Sequence, residues 1–139
     1  MNALSTAIYS RSQVASNFKT AIADRFYFVK AADAAVYPYV VYFFIHDKPD
    51  YYLNAQSTNA SNFEIVKVAF NIHSNIINSS SEAGTILEYL KSHFDNCDIT
   101  VTGWNDIKVE RYNVLGPFWD NVVKEWTYQV EYEIILQKS

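Results

Sequence analysis

The chain has 139 residues, half of them hydrophobic and 17% aromatic, with a net charge of −4 and 11 lysines and arginines in total. That is one domain's worth of chain with material for a substantial core. It lacks the basic patch of a nucleic-acid binder or an anionic-lipid binder, and any apolar run of the roughly 18–20 residues that crosses a bilayer.

In chain order, residues 2–22 read as helical. Leu4, Ile8, Ala15, Phe18 and Ile22 recur at three- and four-residue steps, and the polar stretch 10–13 predicts a bend or a break near Ser12. The first residues carry no charged segment followed by an apolar one, so no signal peptide is expected. Residues 25–30 read as a short strand. Residues 37–47 (YPYVVYFFIHD) are apolar on both faces, which predicts a strand covered on each side, with Pro38 at its start. Residues 48–62 form a long polar connection enclosing Tyr51, Tyr52 and Leu53. Residues 63–74 return to strand, with Val66, Val68, Phe70 and Ile72 on one face.

Ser79 and Glu82 have capping-box spacing, in which Ser79 accepts from the Glu82 N–H and Glu82 reaches back. The helix they open extends to about Asp95, with Ala83, Ile86, Leu87, Leu90 and Phe94 as its apolar stripe. Residues 99–102 and 107–114 read as strands. Residues 115–121 (LGPFWDN) read as irregular, because Gly116-Pro117 and Asp120-Asn121 bracket Phe118-Trp119. Residues 125–137 then alternate for a dozen positions. Trp126, Tyr128, Val130, Tyr132, Ile134 and Leu136 share one face, and glutamates, glutamines and Thr127 dominate the other. The expected fold is therefore α+β: a single domain over residues 1–139, with an antiparallel twisted sheet, helices on one face, and irregular loops at 48–62 and 115–121.

Chemistry is harder to find. His46, His73 and His93 fall on different elements, in no ligand spacing, so no metal is expected. Cys97 is the only cysteine, which rules out an internal disulfide and leaves the compartment open, with a reducing cytosol as default. It sits where a helix ends, and the dipole there disfavours a thiolate. Asn59 and Asn78 begin glycosylation-type triplets that carry no weight without a secretory signal. No nucleophile elbow, P-loop or dinucleotide fingerprint occurs, and Glu110, Glu131 and Glu133 are spaced as sheet-surface residues. We expect no enzymatic activity, no catalytic residues and no cofactor. The unusual positions are apolar ones in the connections: Tyr51, Tyr52 and Leu53 in one, Phe118 and Trp119 in the other. They either fold back over the sheet as lids or anchor a partner, since exposed aromatics are typical interface material.

Five sets of residues carry a resemblance: Arg25-Phe26-Tyr27-Phe28, then Tyr37-Pro38-Tyr39-Val40-Val41-Tyr42, then Phe70-Asn71-Ile72-His73-Ser74, then Val101-Thr102-Gly103-Trp104, then the closing run from Trp126 to Tyr132. Together with Leu90 and Phe94-Asp95, and in this order, they resemble the phage tail-completion and tail-terminator family over nearly the whole chain. The chain departs from that pattern at residues 32–35 and 54–62. The resemblance implies a structural virion protein of a siphovirus- or myovirus-like tail, made in the host bacterial cytoplasm. It implies a homo-oligomer, typically a ring of six, that ends the tail at its head-proximal side. The partners implied are further copies of itself, the tail tube protein and the head connector or head-closure protein, without membrane contact or specific nucleic-acid binding. Two alternatives stand beside it: another neck component, such as a head-closure or minor capsid protein, and a non-viral small-molecule-binding α+β domain.

Overall fold

A computed structural model describes residues 2–50 and 63–138, with residues 48–50 described by backbone alone. The elements in chain order are α1 (Asn2–Ser12), α2 (Asn17–Ile22), β1 (Phe26–Phe28), β2 (Tyr39–Asp50), β3 (Phe63–Ser74), α3 (Ser81–Phe94), β4 (Asp106–Asp120) and β5 (Glu125–Gln137). The strands form one five-stranded sheet in the order β1-β2-β3-β5-β4. All neighbours are antiparallel except β1 and β2, which run parallel, so the sheet is mixed. The architecture is α+β, with the three helices contributing to the core on one side of the sheet.

Alternation places that core. Val66, Val68, Phe70 and Ile72 of β3 lie beside Val130, Tyr132, Ile134 and Leu136 of β5, and all eight are buried. At roughly 25 cal/mol per Å² of apolar surface, such side chains contribute about 1.5–3 kcal/mol each on leaving water. A one-residue slip would bring the glutamates of β5 inward, so burial fixes the register. Helix α3 lays Ala83, Ile86, Leu87, Leu90 and Phe94 on this face. An aromatic seam runs through the centre: Phe26 stacks on Tyr42 at 4.6 Å, and Phe70 meets Phe94 at 4.9 Å and Tyr132 at 5.5 Å.

The buried phenols have partners. Tyr42 Oη donates to the Ser5 carbonyl at 3.0 Å, and Tyr132 Oη donates to Asp95 Oδ1 at 2.6 Å. Burial pushes the Tyr42 phenol up to about 12. Burial, and then the Asp95 bond, raise Tyr132 as well. His93 joins α3 to α1: its Nε2 lies 2.7 Å from the Arg11 carbonyl, while Arg11 Nη2 donates to the His93 carbonyl at 2.7 Å. Burial lowers the His93 pKa below its ordinary value of 6.5.

Several sequence expectations change here. The N-terminal helical stretch is a pair, ended at Ser12 and restarted by Ser16, whose side chain accepts from the Lys19 N–H at 3.1 Å. Ala15, placed on the apolar stripe by its spacing, lies exposed between the two helices. The capping box does not form. Ser80 is the N-cap without a side-chain cap bond, Ser79 Oγ accepts from the Ser81 N–H, and Glu82 Oε1 instead accepts from Ser74 Oγ at 2.7 Å. Binding the strand end to the helix start satisfies Ser74, whose side chain is buried. Residues 99–102 are not a strand. Val101 is buried and Ile99 packs against the core, so these β-branched residues are used in packing while β5 is already paired on both edges.

The largest correction concerns residues 115–121. Residues 115–120 belong to β4, which is continuous over 15 residues, and the reversal comes later, with Asp120 Oδ1 accepting from the Val122 and Val123 N–H groups. Gly116 and Pro117 mark one bulge here instead of a loop. The register shifts between Arg111 and Asn113 and again between Leu115 and Phe118. Gly116 has φ +119°, and a Cβ there would stand 2.9 Å from the Thr127 carbonyl oxygen, so no other residue fits without movement.

Candidate functional site

The sheet is well covered at its centre and poorly covered at its two sides. On the β4 side, β4 and β5 continue from the edge of the core, at Val130, as a hairpin arm. Val114 pairs with Val130, Leu115 with Gln129, Phe118 with Thr127 and Trp119 with Trp126. Because side chains alternate, Val114 and Trp119 lie on the helix-bearing face and Leu115 and Phe118 on the other. Apolar groups are thus exposed on both sides of one ribbon. Tyr112 and Phe118 are each 56% exposed, and Val122 at the turn is 90% exposed.

Of the five residues singled out in the sequence, Phe118 projects from this arm and Trp119 lies half-buried against Trp126, with ring centroids 5.2 Å apart. Neither folds back over the sheet as a loop lid. Tyr51, Tyr52 and Leu53 lie outside the described residues. Sequence reasoning passed over Tyr112, Leu115, Val122 and Val123, and the signal available was their pattern. Two adjacent valines in a turn, and apolar residues on both parities of a β-segment, break the rule that one face is wet.

The opposite side of the sheet is also apolar. At the end of β1, Phe28 meets Tyr42 at 5.0 Å and Phe44 at 5.6 Å while remaining 45% exposed, and Val29 beside it is 63% exposed. Tyr9 of α1, next to Phe26, adds a further exposed ring.

A polar cluster anchors the base of the arm. Glu125, the first residue of β5, accepts from Tyr37 Oη at 2.7 Å and holds His73 Nδ1 at 3.0 Å, while Tyr39 stacks on His73 at 4.7 Å. The Glu125 bond raises the Tyr37 pKa, because ionising the phenol would lose it and set two anions together. Glu125 thus ties Tyr37 and His73 together, and the geometry is that of a brace between the start of β2, β3 and β5.

Elsewhere a groove of about 600 Å³ separates α1 from residues 98–102, lined by Thr6, Ser10, Arg11, Asp98 and Thr100 among others. Its one guanidinium is committed to the His93 carbonyl. Cys97 is half-buried, and burial raises its thiol, which keeps it protonated. Among the described residues, no three His, Cys, Asp or Glu side chains gather in a way that would hold a metal ion. Also among them, no helix is long and apolar enough to cross a membrane.

No protein-family model matches this chain, and no curated protein matches its sequence. Solved structures do share the fold. One chain of the virion of a native gene transfer agent particle superposes with a TM-score of 0.77, covering 98% of this chain and 96% of its own at 8% identity. A second solved chain gives a TM-score of 0.70 over 99% of this chain and 96% of its own at 13% identity.

Proposed function

We propose that this chain is a structural protein of a virion, from a tailed phage or prophage, and that it works by docking to copies of itself and to neighbouring particle proteins. The observation that carries this reading is the likeness to a chain of a gene transfer agent virion over 98% of this chain and 96% of that one. The surface agrees. Apolar side chains are exposed at both sides of one sheet, while the grooves and polar clusters described above offer no set of converging, unpartnered ionisable groups.

Within that class, the residue order that resembles tail terminators favours a tail-completion role. The chain would form a ring, six subunits in number, at the head-proximal end of the tail, between the tail tube protein and the head connector. A closed ring needs two unlike patches per subunit, joined head to tail, and the two sides of the sheet supply them. Six copies at −4 carry about −24 in total, a charge that suits passage of DNA without adhesion. In this role the chain is not an enzyme, requires no cofactor, and resides in the tail or neck of the particle.

Deleting the gene and imaging the particles tests the assignment. Tails of irregular length mark a terminator. Normal tails detached from filled heads mark a joining protein instead. Intact, infectious particles lacking the chain would remove it from the virion altogether.

A further inference from the structure

We draw no further inference here: the strongest candidate, the cleft of about 540 Å³ that Ile77, Trp119, Asn121, Lys124 and Trp126 line at the hairpin end of the sheet, is an apolar surface, and nothing in the structure shows what covers it.

Discussion

The middle of the sheet and its β4 arm are built from the same residue types and face opposite fates. At Phe70 and Tyr132 the rings are enclosed by α3, by β1 and by one another, and their one hydroxyl is bonded to Asp95. On the outermost strand, Val114, two strands across from Phe70, is 36% exposed, and Phe118, past the second bulge, is 56% exposed. Composition therefore does not tell core from surface here; the reach of the helices does. A ribbon that extends past its covering layer keeps its apolar residues for something else, and the fold's own stability depends little on them.

That contrast can be broken or sharpened by substitution. The largest effect belongs to the seam: Phe70→Ala, at a fully buried ring, should cost about 3–5 kcal/mol in chemical unfolding. If it cost under about 1 kcal/mol, the central packing described here would be wrong. Tyr132→Phe removes only the hydroxyl and leaves Asp95 short of a donor, so about 1–2 kcal/mol is expected by the same measurement.

Acid should act through His93. Its folded pKa lies below the ordinary 6.5, so the folded chain binds fewer protons than the unfolded one. Stability is then complete above about pH 6.5 and declines as pH falls through the lowered folded value. A melting-temperature profile from pH 8 to 5 should show this decline, and His93→Gln should flatten it. An unchanged profile in the variant would assign the acid response elsewhere. Ser16→Ala, which removes the N-cap of α2, should cost about 1 kcal/mol. Smallest of all is Phe118→Asp, expected within about 0.5 kcal/mol of the parent because more than half of the side chain is exposed. Its consequence should appear in association instead. A large loss of stability would mean that the arm is part of the core after all.

Much of the scaffold was legible in the residues. The alternation of β5 and β3, the stripe of α3 and the break at Ser12 all follow from periods of two and 3.6 and from a polar interruption, which are local properties. The arm was not legible as an arm. Gly116-Pro117 reads as a turn wherever it occurs, and only pairing with β5 converts it to a bulge inside a long strand. Likewise the Ser79–Glu82 spacing predicts a capping box until Ser74 arrives from another strand to claim the carboxylate. The β-branched run at 99–102 predicts a strand, and the structure instead uses Val101 and Ile99 to pack against the core.

The sequence by itself determined which face of each central strand turns inward, because a one-residue slip would bury charge. It also determined the class of fold that such strands and one amphipathic helix can build. Only the tertiary structure decided that β1 runs parallel to β2, that β4 runs on past the bulges, and that Phe28 and Val114 end the same cross-strand row. Those facts depend on which segments meet across long stretches of chain. No local pattern encodes that, since it is set by what is left to cover each apolar surface once the helices have been placed.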